Sequence, residues 1–498
     1  MRPLLIRTDA STQIGTGHVM RMMALAQAWR RKGGKAYFYC CQCPRPLQTR
    51  LKDAGFPVRM LSARPGTSDD QEFFLQALSS HSDAFVALDG YHFDLAYQSA
   101  TKAVARVLMV DDYGHLAQYN CDVLLNQNPT ATELLLFERT SGARLLQGLD
   151  FALLRQEYLD WGSREKRVRH SPLNVLLTLG GSDAGNVTEK LLRALDALPD
   201  HIASLRIIIG SANPNRASLE RAASSLSIPT TPLVNIHDMP AQLAWADAAV
   251  AAAGSTCWEL AYMGVPMAVV ALAENQRLIA KNLAAHGMAI DLGWHDDLTS
   301  GSLTKSLRTL LEDFQLRKMM TSSAQRRVDG KGAARVVANL RATDVLLRSA
   351  TINDSRSVWN LANDFHVRKA SFLPDPIPWA DHVCWYEAKL LDPDTHFLIA
   401  ADRSSEFLGV VRFDQGENGN ALISVAVPPE ARGLSTGTAL IIEGKSWLFA
   451  NSGMKQIEAL IRPQNGASVA AFETAGFKLE CETFVHNQPA LRYVCASR

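Results

Sequence analysis

Over residues 1–340, short apolar runs alternate with longer stretches whose apolar residues recur every three to four positions. This alternation restricts the chain to parallel α/β sheets, because neighbouring parallel strands need a crossover, usually a helix, to join them. Strands are expected at residues 4–6, 36–39, 85–88 and 107–110, and in a second set at 174–179, 205–209, 248–252 and 267–270. After the first strand, Val19, Met22, Met23, Ala26 and Trp29 fall on one helix face. A charged stretch at 163–170 separates the two sets, so the spacing predicts two Rossmann-like lobes, 1–162 and 163–345.

The texture changes near Thr351. Two helical stretches precede strands expected at 397–401, 408–413 and 421–427, and the rest reads helix, strand, helix, strand. Strands in direct succession imply a largely antiparallel sheet, so residues 350–498 are expected to form a separate α+β domain. A chain of 498 residues is too long for one core.

Charge narrows the partners. Fifty-one basic against 50 acidic residues leave a formal net charge of +1. That argues against a nucleic-acid binder and against a polybasic membrane anchor. The longest apolar stretches, such as 245–253, are shorter than a membrane span, and this one contains Asp247. Arg2, Arg7 and Asp9 follow Met1, which is unlike a signal peptide. Eight cysteines, with Cys40 and Cys43 at C-x-x-C spacing but no second such pair to complete a zinc site, read as free thiols in a reducing compartment. A cytoplasmic protein with no metal and no stable membrane insertion is expected.

Ile14-Gly15-Thr16-Gly17-His18 joins the first strand to the first helix. Two glycines permit close backbone approach, and the helix start offers unpaired N–H groups. His18 stands at the mouth formed by the strand ends, where an imidazole can take a proton from water. Asp89-Gly90-Tyr91 ends another strand and reads equally as a sugar contact or a structural turn. His81, His92, His115 and His237 are given no role.

In the second lobe, Ala253-Gly254-Ser255-Thr256 opens a helix that carries Glu259. Amides at such a start suit a diphosphate, and a carboxylate one turn on suits ribose hydroxyls. Gly264-Val265-Pro266 and Glu274-Asn275-Gln276 follow.

These strings resemble a known family. Arg7-Thr8-Asp9-Ala10, the His18 loop, Arg21, Asp111-Asp112, Asn126-Gln127-Asn128 and Leu179-Gly180-Gly181-Ser182-Asp183 are similar to the UDP-2,4-diacetamido-2,4,6-trideoxy-β-L-altropyranose hydrolases of pseudaminic acid biosynthesis. The resemblance covers nearly all of 1–340 and implies the two-lobed fold of the GT-B glycosyltransferases. It implies hydrolysis at the sugar anomeric carbon with inversion, His18 activating water and UDP leaving. Substrate contacts are then expected from Asp9, Gly15, Gly17, Arg21, Tyr91, Asn126, Gly254, Ser255, Glu259, Asn275 and Gln276. A glycosyltransferase with another acceptor is the alternative.

In the last domain, Pro428-Pro429 and Ala431-Arg432-Gly433-Leu434-Ser435-Thr436-Gly437-Thr438 lead from a strand into a helix. Successive amides there form a nest for a pyrophosphate. The string looks like the acetyl-CoA loop of the GNAT acetyltransferases, with Ser435 where a glycine is usual. Asn465, Ser468, Phe472, Glu473, Gly476 and Phe477 match the family's later helix and turn. The resemblance implies acetyl-CoA bound by Val425, Val427, Arg432, Gly433, Ser435, Gly437, Thr438 and Asn465, with Tyr493 protonating the thiolate. Residues between 358 and 413, among them Trp359, Asn363 and Arg412, resemble acetyltransferases of a UDP-4-amino-4,6-dideoxy sugar. The general base is open among His382, Tyr386 and Glu387. Another amine acceptor, or a non-catalytic acetyl-CoA sensor, are the alternatives.

Overall fold

A computed structural model describes residues 2–497 except 12, 82, 130–139, 141, 163–167, 181, 182, 184, 211, 212, 235, 237, 403, 404, 417 and 418. Gly181, Ser182, His237 and much of the expected 163–170 connection lie outside the described residues. The chain forms two compact units, Arg2–Ala333 and Ala334–Arg498.

The first unit holds two parallel sheets. In the first lobe the strands are β1 (Leu4–Thr8), β2 (Ala36–Cys40), β3 (Val58–Met60), β4 (Phe85–Asp89), β5 (Arg106–Val110), β6 (Val123–Asn126) and β7 (Arg144–Gln147), in the order β3-β2-β1-β4-β5-β6-β7. β1 lies between β2 and β4, with Leu4 beside both Ala36 and Phe85. The strand order reverses at β1, which opens a crevice at the C-terminal ends of β1 and β4.

The second lobe repeats the plan with β8 (Leu173–Thr178), β9 (Ile202–Ile209), β10 (Thr230–Val234), β11 (Ala248–Ala252), β12 (Met267–Ala271) and β13 (Ala289–Trp294), ordered β10-β9-β8-β11-β12-β13. Leu5, Ile6, Val250 and Val269 are fully buried, as expected of strands covered on both faces by helices. β3, β6, β7, β10 and β13 were not anticipated. They lie toward the sheet edges, where strands are short or partly polar, such as Val58–Met60.

Ala152, Leu154 and Tyr158, although they precede the expected end of the first lobe, pack with Trp258, Leu260 and Tyr262 of the second. Gly332 comes so close to this segment that a Cβ would collide with the Ala152 carbonyl.

The second unit is a mixed sheet of β14 (Leu346–Ser349), β15 (Thr395–Ala401), β16 (Phe407–Gln415), β17 (Asn420–Ala426), β18 (Gln456–Ile461), β19 (Lys478–Val485) and β20 (Gln488–Ala496). Its order is β14-β15-β16-β17-β18-β20-β19, antiparallel except for β17 beside β18. β14 lies ahead of the expected start at 350, and Ala338 and Ala342 already belong to this unit's core. Three helices, Ser355–Ala362, Phe365–Ala370 and Trp379–Leu391, stand where two were expected. Among the described residues no helix is long and apolar enough to cross a membrane, and no group of three or more His, Cys, Asp or Glu is placed to hold a metal.

Candidate functional site

The first-lobe crevice is built from the ends of β1, β4, β5 and β6. The loop before the helix Gly17–Arg31 is tight: the Gly15 N–H donates to the Ser11 carbonyl at 2.8 Å, and Gly15 has φ of +79°. A side chain is strained there, which accounts for the glycine. Gly17 opens the helix on the exposed side, and His18 points inward, 9 % exposed.

Asp89, at the end of β4, is fully buried and organises the crevice. Its Oδ1 lies 2.7 Å from His18 Nδ1 and 2.6 Å from Arg21 Nη2, while Oδ2 accepts from Arg21 Nε at 2.6 Å. A carboxylate only accepts, so Nδ1 carries the hydrogen and the lone pair of His18 is at Nε2. Arg21 Nη2 also stands 3.0 Å from His18 Nδ1; both atoms carry hydrogens, and Asp89 Oδ1 accepts from each. Burial alone raises the Asp89 carboxyl, but Arg21 and His18 outweigh it and hold it at about 2. Sequence alone leaves Asp89 between a sugar contact and a turn residue. With both oxygens engaged beneath His18, it orients the imidazole.

Arg21 continues the network. Its Nη1 donates to both oxygens of Asp112 at 2.7 Å, and Tyr91 Oη donates to Asp112 Oδ2 at 2.8 Å. The Tyr91 ring meets His18 edge-on at 5.1 Å between centroids. Burial, then the neighbouring Asp112, push the Tyr91 phenol well up, so it stays a donor. Asn126, at the end of β6, is fully buried; its Oδ1 accepts from Asn128 N, and its Nδ2 has no partner among the described residues. An unpaired buried amide is costly, so a ligand oxygen is its natural complement.

Asp9 is a correction. Its side chain is wholly buried: Oδ2 binds Arg7 at 2.6 Å, and Oδ1 accepts from Cys41 N and Gln42 N at 2.7 Å each. It fixes the loop after β2 and has no surface left for substrate. Of the unassigned histidines, His92 Nε2 lies 3.1 Å from Asp9, and His115 Nδ1 lies 2.5 Å from Asp111.

In the second lobe, Trp258, 1 % exposed, anchors the helix Thr256–Tyr262 and so sets the direction of neighbouring Glu259. Glu259 Oε1 accepts from Arg155 Nη2 at 2.9 Å, a partner the sequence did not mark. Gly254 is also corrected as an anion donor: its N–H is committed to the Ala252 carbonyl at 2.8 Å. A Cβ there would stand 3.9 Å from Gln276 Nε2, an ordinary contact, so packing in this structure does not itself demand the glycine. Gln276 Oε1 in turn accepts from Leu272 N at 2.9 Å, and Asn275 sits half-buried beside it. Ser255 is the N-cap residue of the helix.

In the second unit, β17 pairs with β18 only through Asn420, Ala421 and Leu422, whereas its pairing with β16 runs on to Ala426. Beyond Leu422 the two strands splay, with Val425 at the opening and Val427 just past it. Two left-handed residues follow: Gly433 with φ of +75° and Ser435 with φ of +63° and ψ of +10°. Ser435 thus takes the conformation of the glycine it replaces, at some steric cost. It precedes the helix Thr436–Asn451, so the turn gathers amides at the helix start. Arg432 is held by Val427 O at 3.1 Å and Asp364 Oδ1 at 2.5 Å. Thr438 is buried within the helix, and Gly437 faces Val427, whose Cγ2 would make an ordinary 3.5 Å contact with a Cβ.

Asn465 caps the helix Gly466–Thr474, accepting from Ser468 N at 3.2 Å. Tyr493 is 3 % exposed and donates to Glu473 Oε1 at 3.1 Å. It lies on β20, beyond β18 from the splay, so its place is that of a core anchor and its role as acid is corrected. His382 and Tyr386 are also buried, bonded to Ser355 O and Thr351 O at 3.0 Å each. Glu387 alone of the three base candidates is exposed.

Two parallel-sheet lobes followed by a mixed sheet with a splayed strand pair make a GT-B-like unit followed by a GNAT-like domain. Residues 175–336 match the glycosyltransferase family 28 C-terminal domain, and 344–478 match the acetyltransferase (GNAT) domain. Among curated proteins, the chain is 26% identical over 341 residues to the spore coat polysaccharide biosynthesis protein SpsG of Bacillus subtilis, covering 68% of this chain and 97% of that one. An uncharacterized protein of Methanocaldococcus jannaschii is 22% identical over 95% of this chain and 96% of its own, so that match runs through both units. The UDP-2,4-diacetamido-2,4,6-trideoxy-beta-L-altropyranose hydrolase of Campylobacter jejuni is 25% identical over 44% of this chain and 74% of its own length.

Proposed function

We propose that the first unit hydrolyses a UDP-linked 2,4-diacetamido-2,4,6-trideoxy sugar and that the second N-acetylates the UDP-4-amino sugar from which it is made. The observation that carries the first part is the His18–Asp89 pair, 2.7 Å apart and buried at the crevice mouth. With Nδ1–H donated to Asp89, His18 Nε2 is free to take a proton from water. The water oxygen bonds to C1 on the face opposite the nucleotide, the C1–O bond breaks, and UDP departs with the electron pair. Tyr91 and Asn126 line the sugar side, and Ser255, Glu259, Asn275 and Gln276 the nucleotide side. The partial likeness to the Campylobacter jejuni hydrolase supports the choice of water as acceptor.

In the second unit the neutral substrate amine forms an N–C bond with the thioester carbonyl of acetyl-CoA as the C–S bond breaks, and the proton that the nitrogen loses balances the one that the CoA thiolate takes up. The left-handed residues Gly433 and Ser435 and the opening beyond Leu422 fit the pyrophosphate and pantetheine arm of such a cosubstrate.

The test is UDP release from UDP-2,4-diacetamido-2,4,6-trideoxy-β-L-altropyranose without any acceptor, by wild type and His18→Ala. Release by wild type and its loss in the variant support the hydrolase. Release only when a sugar acceptor is added would favour a glycosyltransferase, the reading that the glycosyltransferase family 28 match also accommodates.

A further inference from the structure

A buried guanidinium that belongs to no motif lies between the two half-sites. Arg155 follows β7 in the first lobe, is 7 % exposed, and stands over the Tyr158 ring at 5.1 Å. Its Nη2 donates to Glu259 Oε1 at 2.9 Å and to Tyr158 Oη at 2.8 Å. Its Nη1 lies 3.9 Å from the sulfur of Met20, two residues beyond His18 on the same helix. Tyr158 is fully buried, packed into the second lobe's core with Trp258. Burial, and then the Glu259 carboxylate, hold its phenol well above the ordinary value, which makes it a fixed partner for Arg155.

A glutamate has three rotatable bonds, and an exposed one loses much of its binding energy on ordering. Glu259 does not face that cost, because Arg155 holds one oxygen and Tyr158 holds Arg155. A carboxylate offers about four acceptor sites, so the two hydroxyls of a ribose can still be accommodated. We infer that Arg155, held by Tyr158, is the positioning residue that presents Glu259 to the nucleotide ribose and so selects ribonucleotides over 2′-deoxyribonucleotides. This rests on the nucleotide reading of the second lobe. The same guanidinium touches the His18 helix through Met20, so it ties the ribose contact to the lobe that holds the imidazole.

The experiment is equilibrium binding of UDP and 2′-deoxy-UDP to the full chain, as wild type, Arg155→Met, Arg155→Lys and Tyr158→Phe, with thermal melts alongside. A hydroxyl bonded to a charged carboxylate is worth about tenfold to a hundredfold in Kd, so wild type should prefer UDP by that factor. Arg155→Met should bring the ratio of the two Kd values close to one, with UDP affinity falling and 2′-deoxy-UDP affinity little changed. Arg155→Lys and Tyr158→Phe, which keep the volume or the charge, should each lower the ratio at least about threefold and stand in if Arg155→Met does not fold. A merely structural Arg155 would weaken both ligands together. Folded variants that keep the wild-type ratio overturn the inference, as does a wild type that binds both nucleotides equally. A wild type that binds neither overturns the nucleotide reading itself, and this inference with it.

Discussion

His18 Nδ1 lies 2.7 Å from Asp89 Oδ1, and the same oxygen is 2.6 Å from Arg21 Nη2. The carboxylate therefore serves two donors, fixing the imidazole tautomer while remaining neutralised by the guanidinium. Most of what the first unit is expected to do follows from this arrangement.

Asp89→Asn should leave the fold intact but allow the imidazole to present the wrong nitrogen. UDP release should fall by about 10² to 10⁴ in kcat, with KM changed little. Steady-state kinetics beside His18→Ala, which should lose as much, provide the check. An Asp89→Asn enzyme within about threefold of wild type would remove Asp89 from the mechanism.

Arg21→Ala should destabilise the first unit, because the fully buried Asp89 and the partly buried Asp112 then lose the guanidinium between them. Stranding buried charge in this way costs about 3–5 kcal/mol. Urea unfolding followed by tryptophan fluorescence should show a midpoint shifted far below that of wild type. Arg21→Lys, with a single ammonium in place of the bidentate fork, should fall between.

The Asp89 carboxyl sits at about 2, below the 3.8 of an unperturbed aspartate. Its charged interactions therefore stabilise the folded state fully above about pH 5 and are lost as the pH falls through 2. The difference corresponds to about 2 kcal/mol. The stability gap between wild type and Asp89→Asn should narrow by about that much between pH 5 and pH 2, measured by urea unfolding at each pH.

Ser435 at φ of +63° occupies a region that costs an L-residue about 1–2 kcal/mol, partly offset by the chain entropy a glycine would lose. Ser435→Gly should be neutral to about 1 kcal/mol stabilising in the second unit and should bind acetyl-CoA at least as well. Ser435→Val should lose about 1–2 kcal/mol and weaken acetyl-CoA binding. Differential scanning calorimetry and titration of acetyl-CoA give both readouts.

The two-lobe plan was legible because buried parallel strands are continuous apolar runs: β4 and β11 need no partner to be recognised. β3 and β7 were not, because edge strands such as Val58–Met60 and Arg144–Gln147 take their conformation from neighbours rather than from their own residues. The His18 loop was legible from its glycines. The roles of Asp89 and Asp112 were not, because a lone carboxylate at a strand end gives no sign of which helix will face it. Arg155 left no local trace either, since its partners are Tyr158, three residues on, and Glu259, 104 residues away. Tyr493 shows the converse: position late in the chain suggested an acid, but burial between β18 and β19 and a bond to Glu473 make it part of the core.

In the proposed reaction, water activated by His18 attacks carbon, not phosphorus. The most direct measurement is turnover of the UDP-diacetamido sugar in ¹⁸O-labelled water, with mass analysis of the released UDP. Attack at C1 leaves UDP unlabelled and places the label in the free sugar. Label in the β-phosphate of UDP would mean P–O cleavage and would rule out attack at C1.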